Sequence, residues 1–437
     1  MKKALTMSLF LILLNMVFAQ QFWLNMPTPT TKNLTKILFV DTLYGWASGD
    51  SGTIIYTTNG GGNWSVQNTG ITSFQIDDSF FLNRRLGWAV SNDFLSNGTK
   101  ILKTTNGGLN WQLSVFPDTT QFISAIHFLD SLTGFIGGYG GKIYKTTNGG
   151  VNWFNCYFDS IFCPIFKLFP KTNFSFLNSQ TGYICGGIIN IQGVIWKTTN
   201  SGLNWFSFCV TPEPLRRIKV LYPHKIIAAG GNYSYGAITS QSTDSGKTWI
   251  YDVLNLQGLG YALAYRTPRE LWIPLGFSKT WGLSLDSGNT TGFWFQIPTP
   301  DSAAIYDAQF VTPTFGFGCG EKGALVKYNS AIVGMTNNGN TFPKRYKVFQ
   351  NYPNPFNPST RISYYLHSKS AVKITVYDLL GKEVRLFNEG IKPAGYYRSI
   401  FLSGGLASGV YFYVMEALPL DPHENVYIES RKMVILK

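Results

Sequence analysis

Hydrophobic and polar residues alternate along this chain in short runs, each ended by glycine, asparagine or aspartate. Ile37–Asp41 is one such run, Trp46–Gly49 a second and Thr53–Thr58 a third, and a fourth begins at Trp64. Alternation with period two over so few residues predicts β-strands, and the punctuating Gly, Asn and Asp predict tight turns.

The four-strand pattern recurs. Gly52-Thr-Ile-Ile-Tyr-Thr-Thr-Asn-Gly-Gly-Gly-Asn-Trp64 is followed by copies ending at Trp111, Trp153 and Trp205, and by a fifth, Ser242-Thr-Asp-Ser-Gly-Lys-Thr-Trp249. Upstream of the first four copies lies a Gly-aromatic element: Gly45-Trp46, Gly87-Trp88, Gly134-Phe135 and Gly182-Tyr183. A unit of four strands repeating at about 40–45 residues is the signature of propeller blades. One blade has two faces to bury and cannot do so alone, so the blades must stack in a ring.

Two degenerate copies complete the count. One ends Asp286-Ser-Gly-Asn-Thr-Thr-Gly-Phe-Trp294, and another stops at Asn329, where its last strand should begin. The segment Phe22-Trp-Leu-Asn-Met-Pro-Thr-Pro-Thr30 resembles Asn110–Asp118, so the missing strand is expected from the N-terminus. Counting Trp23 with the six other repeat tryptophans predicts seven blades, closed by a strand that removes an exposed sheet edge.

In the repeated turn an Asx side chain can accept backbone N–H bonds, glycine supplies positive φ, and tryptophan packs under the hairpin while its N–H seeks an acceptor. The turn resembles the Asp-box, or bacterial neuraminidase repeat, Ser/Thr-x-Asp-x-Gly-x-x-Trp. Asp244 with Trp249 matches it directly, Asp286 with Trp294 is the altered copy, and Asn59 with Trp64, Asn106 with Trp111, Asn148 with Trp153 and Asn200 with Trp205 carry asparagine for aspartate. So many near-identical sites around a ring are expected to be structural. Residues 20–330 also resemble the photosystem II assembly-factor type of propeller, a family whose role is scaffolding by protein contact.

After Ser330 the pattern changes to a polar linker, 331–347, and then to alternating strands that predict a small antiparallel Ig-like sandwich over 348–437. Its opening Asn351-Tyr-Pro-Asn-Pro-Phe-Asn-Pro358, with Pro353, Asn354, Pro355 and Asn357, resembles the C-terminal sorting domain of the type IX secretion system. The Gly381 and Gly409 turns and the final strand ending in Lys437 extend the resemblance. It implies a Gram-negative host of the Bacteroidetes–Chlorobi kind, handling by the type IX machinery, and a secreted or outer-surface location. Leu418–Ser430 is longer and more acidic than the family's hairpin and is expected only to lengthen a surface loop.

Composition agrees with an all-β chain: 45 glycines and 16% aromatic residues against only 14% charged. Lys2 and Lys3, the apolar run Leu9–Phe18 and Val17-Phe18-Ala19 predict a signal peptide over residues 1–19, and no other stretch is apolar enough to span a membrane. The net charge of +13 is scattered, so Arg216-Arg217 is read as a solvated pair and nucleic acid as a poor partner. Cys156 and Cys163 could pair locally, while Cys185 and Cys319 share the repeat position of Ser48 and are expected to pack. No C-x-x-C pair supports a metal, and no cofactor is expected.

These observations predict an all-β protein, a seven-bladed β-propeller followed by a small Ig-like sandwich. The expected function is a non-catalytic, monomeric module that binds an extracellular protein or glycan. A sialidase-like glycoside hydrolase is the alternative, with Glu270 and Glu321 as candidate acids, but the arginine cluster and paired carboxylates such an enzyme needs are not evident. A photosystem-type assembly factor in the narrow sense is a further alternative, opposed by the sorting module. Ligands are expected at the loops that break the repeat: Asn92–Asn97, Cys156–Lys171, Asn190–Gln192 and Asn232–Tyr235.

Overall fold

The computed structural model describes residues 22–93, 98–159, 169–289, 294–330 and 346–436, apart from 352, 394 and 421–424. The expected signal peptide, Cys163 and Lys437 lie outside the described residues. The chain divides after Ser330 into two compact units.

The first unit holds seven sheets in sequence, one per blade, antiparallel except for one added strand. Blade 1 runs Leu34–Phe39, Gly45–Gly49, Ile54–Thr57 and Ser65–Gln67 from the central channel outward. Its first strand stops at Phe39 rather than Asp41, because the Asp41 carboxylate turns back to accept the N–H groups of Leu43 and Tyr44. The innermost strands of blades 2 to 7 begin at Ile76, Phe122, Lys171, Leu215, Ala264 and Ile305.

Blade 7 takes its outer strand from the other end of the chain. Trp23–Met26 pairs with Leu325–Tyr328, Trp23 opposite Tyr328 and Met26 opposite Leu325. Trp23 is fully buried, stacked on Trp281 with centroids 4.4 Å apart.

Blade 4 has five strands instead of four. Tyr157–Asp159, from the long connection out of blade 3, adds in parallel to the outer strand Asn204–Thr211. Part of the segment read as an irregular loop is therefore sheet.

The blades adhere through one repeated ring contact. The aromatic of the Gly-aromatic element lies flat on the last phenylalanine of the next blade's inner strand: Trp46 on Phe81 at 3.8 Å, Trp88 on Phe128 at 3.5 Å, Phe317 of blade 7 on Phe39 at 4.9 Å. That phenylalanine in turn covers the glycine of its own blade, where an added Cβ would meet the ring at 2.5 Å for Gly45 and 2.4 Å for Gly87. The glycine is there because the ring occupies the space of a side chain. Ser48, Cys185 and Cys319, at one repeat position, are all fully buried.

Cys156, Cys185 and Cys319 are free thiols and Cys209 is disulfide-bonded. The expected Cys156–Cys163 pair is therefore not formed. The Cys156 thiol is buried in the apolar layer between blades 3 and 4, against Ile143, Phe174 and Trp205, and burial pushes its pKa up to about 12.

The second unit is a sandwich of a three-stranded sheet (Lys347–Val348, Ser359–Leu366, Gly395–Leu402) and a four-stranded one (Glu383–Lys392, Ser370–Tyr377, Gly409–Pro419, Tyr427–Ile435). Val348, Ile362, Leu366, Ile374, Tyr413 and Met433 fill its core. The Leu418–Ser430 segment does more than lengthen a loop. Leu418 and Pro419 continue one strand and Tyr427–Ser430 begin the next, with Ala417 opposite Tyr427.

Candidate functional site

In a meander of four antiparallel strands, the 1–2 and 3–4 turns lie at one end. The 2–3 turn and the connection to the next blade lie at the other. The repeated boxes are all 3–4 turns, whereas the four repeat-breaking loops are 2–3 turns or blade connections. The boxes and the irregular loops thus occupy opposite mouths of the ring. Residues 94–97 and 160–168 of those loops lie outside the described residues.

At the box mouth the geometry repeats. The Thr57 hydroxyl donates to Asn59 Oδ1 (3.0 Å) and accepts the Gly61 N–H (2.9 Å), and Asn59 Oδ1 accepts the Asn63 N–H (2.9 Å). Asn106, Asn148 and Asn200 accept the same two bonds. Asp244 accepts the Ser242 hydroxyl and the Thr248 N–H, and adds the Thr248 hydroxyl at 2.6 Å. The Thr248 hydroxyl foremost, then the Thr248 N–H and the Ser242 hydroxyl, hold its carboxyl well below the usual range. Asp286 accepts from Ser284 at 2.6 Å.

The boxes also grip the preceding blade, through residues sequence reasoning missed. The Gly107 carbonyl accepts Trp46 Nε1 (3.0 Å), the Gly149 carbonyl accepts Trp88 Nε1 (3.1 Å) and Lys103 Nζ (2.9 Å), and the Ser245 carbonyl accepts Tyr183 Oη (2.8 Å) and Lys197 Nζ (2.7 Å). The lysine that recurs just before the threonine pair was the available signal. The box tryptophans behave otherwise than expected. Trp64, Trp111 and Trp153 stand edge-on to Phe39, Phe81 and Phe128. Nε1 of Trp64, Trp153, Trp249 and Trp294 is buried without an acceptor, while Trp111 donates to Gln67 Oε1 at 3.3 Å. Ring packing, not a hydrogen bond, sets their orientation.

The opposite mouth opens into a polar cavity of about 370 Å³ lined by Asn33, Asp50, Asp77, Arg216, Arg217, Tyr261 and Tyr306, among others. Below it the inner strands present a charged layer. Lys36 Nζ lies 3.5 Å from Asp78 and 3.9 Å from Asp307, and Arg217 Nε lies 3.8 Å from Asp307. These carboxylates also join blades: Asp78 accepts the Ile126 N–H and Asp307 the Ile37 N–H, each at 3.0 Å. Backbone donors that inner strands turn toward the channel would otherwise be orphaned.

Arg216 and Arg217 are not a solvated pair. Both line the mouth, and Nε of each is buried with no hydrogen-bond acceptor. The Arg216 guanidinium sits 5.1 Å from the centre of the Tyr261 ring. Asp77, on the same rim, has its pKa raised to about 6 by burial, with the Asp78 charge adding to the effect. Deeper in, His127 lies against the Phe80 and Phe176 rings, and burial, then the Lys36 charge, push it down to about 4.

The two candidate acids cannot act together. Glu270 lies at a 1–2 turn and Glu321 at a 2–3 turn, on opposite ends of the ring. Glu270 is buried in a bidentate ion pair with Arg266 and accepts Trp272 Nε1 at 2.7 Å, and Glu321 faces Lys279 at 3.7 Å. Among the described residues no group of three or more His, Cys, Asp or Glu is placed to hold a metal, and no helix is long and apolar enough to cross a membrane.

In the second unit, Asn351 is buried and donates to Thr360 Oγ1 (2.9 Å) and the Pro353 carbonyl (3.1 Å). Asn354 Oδ1 accepts the Val434 N–H (2.7 Å), and the Asn354–Pro355 and Asn357–Pro358 bonds are cis. The opening motif thus seats on the last strand. Gly381 takes a left-handed turn (φ 78°) closed by the Asp378 carboxylate, and Gly409 pairs with Ile435.

Residues 15–329 match the family described as photosynthesis system II assembly factor YCF48, and the chain belongs to that family. Residues 350–420 match the secretion system C-terminal sorting domain. The chain is thus a propeller of the YCF48 type whose sorting domain marks it for export by type IX secretion, to the cell surface or beyond. Among solved structures, YCF48 bound to a D1 peptide is 22% identical with a TM-score of 0.56, covering 71% of this chain and 98% of that one. YCF48 from Cyanidioschyzon merolae is 18% identical with a TM-score of 0.55, over 71% of this chain and 99% of that one. The GH74 xyloglucanase from Xanthomonas campestris is 10% identical with a TM-score of 0.55, covering 94% of this chain and 67% of that one. These likenesses describe the fold. No curated protein matches the chain.

Proposed function

We propose that the protein is a non-catalytic exported propeller that holds an extended, carboxylate-bearing segment of a partner protein at the mouth lined by Arg216 and Arg217. On this reading residues 1–19 direct export and are removed, 20–330 form the working module, and 348–437 the sorting module, joined by 331–347. The Asn and Asp boxes serve as turn locks and blade clamps.

One observation carries the proposal: two adjacent guanidinium groups line a polar cavity, and among the described residues Arg216 has no carboxylate within ion-pair distance. A carboxylate accepts such donors in the strongest hydrogen bonds available to a neutral-pH ligand. YCF48, a relative in fold, has been solved with a D1 peptide bound. The separation of Glu270 from Glu321 speaks against a retaining or inverting glycosidase, which needs its two carboxyl groups within about 10 Å.

The test is an array of acidic peptides with free or amidated C-termini, read with the full chain. Binding that weakens about tenfold or more in Arg216→Ala or Arg217→Ala is expected. Binding by both variants that equals the wild type's, or turnover of sialosides or xyloglucan by the wild type, overturns the proposal.

A further inference from the structure

A second cavity, of about 550 Å³, opens between blades 4 and 5 on the irregular-loop mouth. Ile191, Pro212, Ile238 and Val253 form apolar walls, and Tyr235 stands beside them with 66% of its surface exposed. Glu213 also lines the cavity but is only 4% exposed. Its carboxylate accepts one hydrogen bond, from the Asn190 N–H at 3.1 Å, and no cation lies within ion-pair distance among the described residues.

This is an unusual place for a carboxylate. Taking an acid out of water is costly unless a cation or several donors replace the lost hydration. The chain has 36 Lys and Arg against 23 Asp and Glu, yet among the described residues none of them pairs with Glu213.

The surroundings are also built in advance. Asn190 adopts a left-handed conformation (φ 60°) and donates its N–H to Glu213, while Asn232 Nδ2 donates to Asn190 Oδ1 at 3.0 Å. The 2–3 turns of blades 4 and 5 are thereby tied together beside the carboxylate.

We propose that this cavity receives a lysine or arginine side chain from an extended segment of a protein partner. The apolar walls suit the aliphatic stem, Glu213 suits the cationic head, and the exposed Tyr235 ring offers a face to the same cation. The proposal is independent of the arginine mouth.

An array of nonapeptides tests it, with central Lys, Arg, norleucine or citrulline flanked by randomised residues and read with the labelled full chain. Lys and Arg are expected to exceed norleucine and citrulline by about tenfold. Glu213→Gln, whose amide oxygen can still accept the Asn190 N–H, is expected to erase that preference. Ile191→Trp, which fills the cavity from an exposed position, removes binding altogether and serves if the first variant fails to fold. Equal signals for lysine and norleucine, a lysine preference that survives either blocking variant, or no peptide binding overturns the proposal.

Discussion

The indole of Trp88 in blade 2 lies on the ring of Phe128 in blade 3, centroids 3.5 Å apart and planes within 6°. Its Nε1 donates to the Gly149 carbonyl of that next blade's box. One side chain therefore supplies both the apolar and the polar link between neighbours. Trp88→Ala is expected to cost about 4 kcal/mol, from lost burial and the cavity left behind. Trp88→Phe keeps the stack and gives up the hydrogen bond, at about 1 kcal/mol. Chemical denaturation of the three proteins checks the ordering.

The box turns differ in one respect that stability should report. The residue before the last box glycine is left-handed in every described box, and it is Gly149 in blade 3 but Ser201 and Ser245 in blades 4 and 5. A side chain there costs about 1–2 kcal/mol. Ser245→Gly is expected to raise stability by about 1 kcal/mol, since the carbonyl that accepts Lys197 is unchanged. Asn148→Ala is expected to lower it by about 1–2 kcal/mol, through the lost bonds to Thr146 and Asn152. Equal melting temperatures for these two variants would refute both.

Ring closure rests on one short strand. Trp23→Ala is expected to cost about 3–5 kcal/mol, because it empties the space between Trp281, Phe310 and Tyr328. Deleting Phe22–Met26 additionally bares the edge Leu325–Tyr328, so self-association is expected beside a lower melting temperature. Light scattering distinguishes the two variants.

Asp77 gives the arginine mouth a pH dependence. Its folded pKa of about 6 lies above the unfolded value of 3.8, so between those values the native state binds the extra proton. The stability contributed by this group therefore rises as pH falls from 6 toward 4 and is lost as pH rises through 6. Asp77→Asn is expected to be more stable than wild type by on the order of 2 kcal/mol at pH 7, with the advantage vanishing near pH 4. Protonation also removes a negative charge from the cavity that Arg216 and Arg217 line, so acidic peptides should bind the wild type more tightly at pH 5 than at pH 7. Parallel denaturation and binding series at the two pH values check both signs.

The cysteines are separable chemically. Alkylation in denaturant without reductant is expected to label Cys156, Cys185 and Cys319, and Cys209 only after reduction. Peptide mapping reads this directly.

Much of the ring was legible because its contacts repeat. Phe39 with Gly45, and Asn59 with Trp64, each recur as pairs of fixed spacing, and each spacing records one contact of a strand with its own hairpin. The seven blades and the closing strand at Trp23 followed from that periodicity. The links between blades were less legible. Nothing adjacent to Gly149 in the chain indicates that its carbonyl meets Trp88 and Lys103, because those partners belong to the previous repeat.

The sites lie beyond that limit. Arg216 and Arg217 read as an ordinary basic pair, and Glu213 drew no notice. Local sequence by itself determined the strands, the turns and the number of blades, since side-chain alternation and turn chemistry act over a few residues. Only the tertiary structure decided which mouth is polar and which carboxylates lack a partner. Burial and charge at those points depend on groups that seven blades bring together from distant parts of the chain.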